Sequence, residues 1–185
     1  MAAYVQAVKT ELKDWKVSVL VLILTVGRII YGWSWLKSGW GKLAWFSDGT
    51  LNSAEKIHTL VNNIAGPDVT RFDPFSINQG FAWIAQHVFL GMPALTDVLV
   101  VVFEIGVGLC LILGVRVFWA ALIGTFMNMQ FIAGGSFNNF GYIWTNLALM
   151  KFAKYAEMIG LEGLLRFKKY DGFDFTVPKE KSLSN

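Results

Sequence analysis

The sequence predicts an all-α membrane protein: a four-transmembrane-helix bundle with two short amphipathic helices in a long outer loop. Three observations predict it. Hydrophobic residues make up 55% of the 185 and charged residues 16%, with a mean hydropathy of +0.48, whereas soluble domains carry about 25% charged residues. That apolar surplus cannot be hidden in one soluble core of this size, which excludes a soluble globular enzyme and a disordered chain. Four apolar stretches approach the roughly 20 residues that cross a hydrocarbon core. The basic residues also gather on one side of a four-span layout.

The first span, 17–36, reads VSVLVLILTVGRIIYGWSWL with Arg28 as its one charge. It is too long for a signal peptide, and no small-residue cleavage site follows it. The second, 94–115, carries Asp97 near its start and Glu104 inside, and the third, 117–137, has no charge. The fourth, 140–160, meets Lys151, Lys154 and Glu157, which must face the bundle interior or snorkel. Ala148, Ala153, Ala156 and Gly160 give it small residues for close packing. All of this reads as one domain over 1–185.

Lys9, Lys13 and Lys16 precede span one, Arg116 joins spans two and three, and Arg166, Lys168, Lys169, Lys179 and Lys181 follow span four. A four-span chain puts all of these on one face. Both termini are therefore expected in the cytoplasm of a multi-pass plasma-membrane protein, with the 37–93 loop outside. Trp15 and Trp119 then sit at the inner interface, and Trp40, Trp45 and Trp144 at the outer one. The net charge of +3 does not point to nucleic acid.

The outer loop carries two helices. Asn52 with Glu55 resembles a capping box, Ile57, Leu60, Val61 and Ile64 form one apolar stripe, and Gly66-Pro67 ends it. Ser76 with Gln79 opens the second, with Phe81, Ile84, Ala85, Val88 and Phe89 on one face and Gly91 and Pro93 closing it.

Polar groups at mid-depth carry the functional signal. At a rise of about 1.5 Å per residue, Arg28 lies roughly 16 Å into span one and Glu104 roughly 15 Å into span two. Asn128 and Lys151 fall at similar depth in spans three and four. A charge there costs at least about 2.5–3.5 kcal/mol, so Arg28 and Glu104 are expected to face inward, paired or lining one cavity. Either the pair only fixes helix register, or it marks a polar pocket or proton path. The exit of span one sets Trp33, Trp35, Trp40 and Trp45 beside Lys37 and Lys42, and Arg28, Tyr31 and Trp35 share a helix face. This is either an interfacial aromatic belt with snorkelling lysines, or an anion entrance opening on a flat aromatic site suited to a quinone ring.

His58 and His87 both fall in the outer loop and Cys110 is the single cysteine. That leaves no histidine pair for a haem in the bundle, no dithiol, no thiolate cluster and no metal-ligand spacing, and no nucleotide loop is present. Cys110 is about 240° round the helix from Glu104 and reads as a small hydrophobe.

Arg28, Gly32, Gly39 and Lys42 in and after span one, with Glu104, Gly106, Gly108, Leu113, Gly114 and Arg116 in and after span two, resemble the DoxX/DoxD family of small four-helix membrane proteins. The stretch NMQFIAGGSFNNF and the following NLALMKFAKYAEMIGLEGLL resemble the DoxD branch, the large subunit of the thiosulfate:quinone oxidoreductases of sulfur-oxidising archaea, with Glu162 where that branch has aspartate. The resemblance implies oxidation of thiosulfate to tetrathionate, a membrane quinone as electron acceptor, a small DoxA-like partner subunit and a terminal quinol oxidase downstream. Joined to the residue-level reading, it makes Arg28 and Glu104 the catalytic candidates. Arg28, Lys37, Lys42, Trp33 and Trp35 become candidates for substrate binding, and Glu104, Asn128 and Tyr31 for quinone binding. Two rivals stay open: a non-catalytic membrane subunit of a respiratory complex, and a small-anion transporter, against which the apolar inner half of span three argues.

Overall fold

The computed structural model describes residues 1–45, 53–65, 77–133 and 137–170, and every regular element among them is helical. In chain order these are α1 (Ala2–Glu11), α2 (Trp15–Gly41), α3 (Ala54–Ala65) and α4 (Ile77–Ile84), which continues as a π-helical turn over Ala85–Phe89. Then come α5 (Pro93–Leu113), α6 (Val117–Ala133), a 3₁₀ turn (Phe137–Asn139), α7 (Phe140–Lys151), α8 (Ala153–Met158) and α9 (Leu161–Tyr170).

Helices α2 and α5 are long and apolar enough to cross a membrane. The 27 residues of α2 extend for about 40 Å. Asp14 caps its start by accepting from the Lys16 N–H at 2.9 Å. Leu22, Ile23 and Ile30 leave more than 60% of their surface uncovered, which suits a helix flank facing hydrocarbon. Its other flank, with Val21, Leu24, Arg28, Tyr31 and Trp35, is buried.

Helices α2 and α5 run antiparallel in the most extensive contact of the fold, and glycines set how close they come. A methyl on Gly108 would lie 2.6 Å from the Leu36 nitrogen, and one on Gly32 would lie 2.9 Å from the Gly108 carbonyl oxygen. A methyl on Gly39 would meet Ile105 at 2.8 Å. Backbone therefore touches backbone along this seam, as small-residue helix pairs allow. Helix α6 packs between α5 and α7, and α2 closes the ring against α8. Leu24, Val107, Leu111, Ala121, Met127 and Leu149 are among the buried core residues they share.

The expected spans are adjusted in three places. Pro93, expected to close the outer helix, occupies the first turn of α5, where its missing N–H costs nothing. Helix α6 is described to Ala133, so the expected end of span three at 137 lies beyond it. The expected single fourth helix over 140–160 is two, broken at Phe152, whose φ of −110° and ψ of 25° leave the helical region. Across the break Lys151 and Lys154 are exposed while Glu157 is buried, so only the last of the three charges faces inward. The Lys151 ammonium lies 5.4 Å from the centre of the Phe152 ring.

Helices α3 and α4 lie at one end of the bundle, here the loop end. Ile57, Leu60 and Val61 of α3 pack on Ala82 and Ala85, the stripe the sequence predicts. Asp97 accepts from the Ser53 N–H at 3.0 Å, tying the start of α3 to α5. Asn52, Gly66, Pro67 and Ser76, expected as cap and turn residues, lie outside the described residues, as do Lys179 and Lys181. His87 stacks on Trp83 with ring centres 4.6 Å apart, and His58 is exposed.

The opposite end is a compact knot. The α5 helix terminates in a Schellman arrangement, with Val115 N–H to Cys110 O at 2.9 Å and Gly114 N–H to Leu111 O at 3.3 Å. Gly114 takes φ +65° there, open to glycine at no steric cost. Glu157 accepts from the Val117 N–H at 2.8 Å, which places a carboxylate at the start of α6, and Arg166 Nη2 lies 2.9 Å from its other oxygen. Helices α1 and α9, unexpected from the sequence, fold onto this end. The Tyr4 hydroxyl donates to Met158 O at 2.6 Å and its ring meets Phe167 edge-on. Burial raises the Tyr4 hydroxyl's pKa, which keeps it a donor.

Candidate functional site

Arg28 and Glu104 do not pair. The guanidinium of Arg28 is 2% exposed and is spent on main-chain carbonyls. Its Nε donates to Ala156 O and its Nη1 to Ile112 O, each at 2.8 Å. Leu111 O and Ile159 O accept from Nη1 and Nη2. These oxygens stand at the C-terminal ends of α5 and α8, where helices leave carbonyls without internal partners. Four of the five guanidinium N–H groups thus cap two helix ends at once. A methyl on Gly114 would lie 2.7 Å from Arg28 Nη2, so that glycine provides both the turn and the room. The expectation of matched depth fails because of register. The glycine seam sets Arg28 against Leu111 and Ile112, seven or eight residues beyond Glu104 on α5, about 11 Å along the axis.

Glu104 has a different partner. Gly39 lets α5 approach so closely that a methyl there would lie 3.0 Å from Glu104 Cβ, and Lys42 follows one turn later. The Lys42 ammonium pairs with Glu104 Oε1 and donates to Ser38 Oγ at 3.0 Å. It lies 5.7 Å from the ring centres of Trp45 and Phe131, within cation–π range. Glu104 is 1% exposed, and its Oε2 is buried with no hydrogen-bond partner among the described residues. Such an atom carries an unmet desolvation cost of about 1–3 kcal/mol, more when charged.

Two cavities meet at Glu104. The smaller, of about 220 Å³, is lined by Tyr31, Trp35, Ser38, Asn128 and Tyr142 among others. Asn128 Nδ2 donates to the Tyr31 hydroxyl at 2.9 Å, leaving that hydroxyl its proton to give. Tyr31 stacks on Tyr142 with ring centres 5.2 Å apart and meets Trp35 edge-on at 6.0 Å. The walls are thus flat aromatic faces with amide and hydroxyl groups between them. The larger cavity, of about 390 Å³, runs beneath α3 between α5 and α6. Ser38, Glu104, Phe131 and Asn139 line both.

Of the expected site residues, Tyr31, Trp35, Lys42, Glu104 and Asn128 come together here. Trp33 is 60% exposed and Lys37 is exposed, and neither lines either cavity. Both fall on the outward side of α2, because 33 and 37 are out of phase with the stripe 31, 35, 38, 42. Arg28 belongs to the helix-end knot. Cys110 packs against the core. Ser34, Ser38, Phe131, Asn138, Asn139 and Tyr142 also line the smaller cavity and were not foreseen. Ser34 and Ser38 were findable, since they extend the Tyr31–Trp35 face by helical spacing.

Six of the residues that carry the sequence resemblance, with Arg28 among their partners, find physical roles at the α2–α5 seam. Gly32, Gly39 and Gly108 allow the close crossing, Gly114 caps α5 beside Arg28, and Lys42 meets Glu104. No curated protein and no solved structure matches the chain. The DoxX family matches residues 23–134, more than half of the chain, from within α2 through α5 to the end of α6. The chain is a membrane protein and belongs to the DoxX family.

Proposed function

We propose that this chain is the membrane subunit of a thiosulfate:quinone oxidoreductase, a four-span protein of the plasma membrane with both termini in the cytoplasm. The observation that carries the reading is the aromatic cavity around Tyr31, Trp35 and Tyr142, with the buried carboxylate of Glu104, paired to Lys42, in its lining. In the reaction, two thiosulfate anions each give up one electron and join through a new S–S bond as tetrathionate. The two electrons, with two protons, convert a quinone to its quinol.

The residues suit that chemistry. A quinone ring stacks on flat aromatic faces. Its carbonyl accepts from the Tyr31 hydroxyl, which Asn128 holds in place. On reduction that carbonyl becomes a hydroxyl, and Glu104 Oε2 accepts from it, so the site favours the reduced product. Lys42 supplies positive charge at the rim for the anionic substrate, with Lys56 nearby on the larger cavity. A small DoxA-like subunit completes the enzyme, and a terminal quinol oxidase consumes the quinol.

The test is electron transfer. Thiosulfate added to the purified complex in quinone-containing vesicles is expected to reduce one quinone for every two thiosulfates consumed, with tetrathionate as product. No reduction of any quinone analogue would rule out the enzyme and leave a structural subunit of a respiratory complex.

A further inference from the structure

We propose that the larger cavity is a lateral bay that receives the hydrocarbon tail of the quinone from the lipid between α5 and α6. The inference rests on the quinone reading of the site and extends it to how the quinone enters.

The two cavities differ in chemistry on either side of Glu104. The smaller is edged by Ser34, Ser38 and Asn138, all exposed. The larger is walled by Leu60 of α3, Val100 and Phe103 of α5, and Phe126 and Met127 of α6, with Lys42 and Lys56 also in its lining. Its volume of about 390 Å³ falls within the roughly 300–1,000 Å³ of ligand sites. Leu99, Phe103 and Phe126 line it and yet leave 39%, 40% and 50% of their surface uncovered. They sit on the outward flanks of two apolar helices, so the bay's rim faces hydrocarbon.

The occupant is defined by what the walls lack and what Glu104 needs. A small anion meets Lys42 and Lys56 at the loop-end rim but gains nothing from the leucine, valine and phenylalanine walls behind it. A fatty acid or phospholipid would set its negative charge on Lys42 and Lys56 at that rim and leave Glu104 Oε2 unmet. An uncharged head that donates a hydroxyl, joined to an apolar chain, satisfies Oε2 and fills the bay. A tailed quinol has that form.

The experiment uses a benzoquinone with a photoreactive diazirine at the end of a ten-carbon tail, added to the wild-type complex in vesicles, with labelled residues mapped by mass spectrometry. Labels on Leu60, Phe103 or Phe126, removed by excess unlabelled tailed quinone, are the expected result. Labels spread over Leu22 and Ile23 of α2 and indifferent to competitor would overturn the bay. Val100→Trp, which plugs the bay, is expected to raise KM for tailed relative to tail-less quinone at least tenfold, with Leu22→Trp leaving that ratio unchanged. An unchanged ratio in Val100→Trp would also overturn the proposal. Should that variant fail to fold, the wild-type map decides alone. Bay labelling without electron transfer from thiosulfate would refute the oxidoreductase and keep the bay. Electron transfer with labels elsewhere would do the reverse.

Discussion

Lys42 and Glu104 form an ion pair across the α2–α5 seam, with the carboxylate buried and the ammonium part-exposed at the rim of the larger cavity. Substitutions at the two positions are therefore coupled. Lys42→Met leaves a buried carboxylate without its cation, and breaking a buried pair from one side costs about 3–5 kcal/mol. Lys42→Met with Glu104→Gln together should cost less than the sum of the single changes by at least about 1 kcal/mol. Denaturation of the four proteins in detergent measures this. Additive losses would mean that the pair does not form.

Arg28 should govern folding rather than substrate affinity. Arg28→Met strands carbonyls at the ends of α5 and α8, each at about 1–3 kcal/mol, and should lower yield and Tm sharply. Arg28→Lys should not restore stability, because an ammonium cannot span oxygens set around a planar fork. Arg28→Lys protein that does survive should keep the wild-type KM for thiosulfate. A raised KM at unchanged Tm would return Arg28 to the anion site.

Gly108→Ala is predicted to destabilise the protein by about 1–3 kcal/mol, since the added methyl would meet the α2 backbone rather than a side chain that can turn away. Gly106→Ala, where the same methyl meets nothing within 4 Å, should be neutral or slightly stabilising. Tm values for the two variants check the seam, and equal losses would contradict it.

Tyr31→Phe removes the hydroxyl that Asn128 orients while keeping the ring between Trp35 and Tyr142. It should lower kcat tenfold or more with KM for quinone changed less than threefold, because the lost donor acts on the carbonyl as it gains charge. Steady-state rates over a quinone series give the split. A loss confined to KM would make Tyr31 a stacking surface only.

Much of the fold was legible because hydropathy and helical spacing are local properties. Spans one and two, the α3 stripe of Ile57, Leu60 and Val61, and the face shared by Tyr31 and Trp35 all follow from it. Five of the expected site residues meet at the cavities for the same reason. The partners of the charges were not legible. Register between α2 and α5 is set by glycine contacts across the seam, and equal depth from estimated span starts pointed to Arg28 with Glu104. A shift of about two turns gave Glu104 to Lys42 and Arg28 to main-chain oxygens, which no side-chain pattern announces. The break at Phe152 has no proline or glycine to signal it. Helix α9 was in principle visible as Leu161, Leu164 and Leu165 beside Arg166, Lys168 and Lys169.

The proposed reaction is reduction of quinone at the Glu104 site with electrons from thiosulfate. Stopped-flow absorbance of the quinone band, after mixing thiosulfate with the purified complex in vesicles, tests it most directly when wild type and Glu104→Gln are compared at equal loading. Rapid loss of the oxidised quinone band is expected in wild type. Loss at least tenfold slower is expected in a stably folded Glu104→Gln, whose amide carries no charge to meet Lys42 or the quinol hydroxyl. Equal rates in the two proteins, or no quinone reduction in wild type, would contradict it.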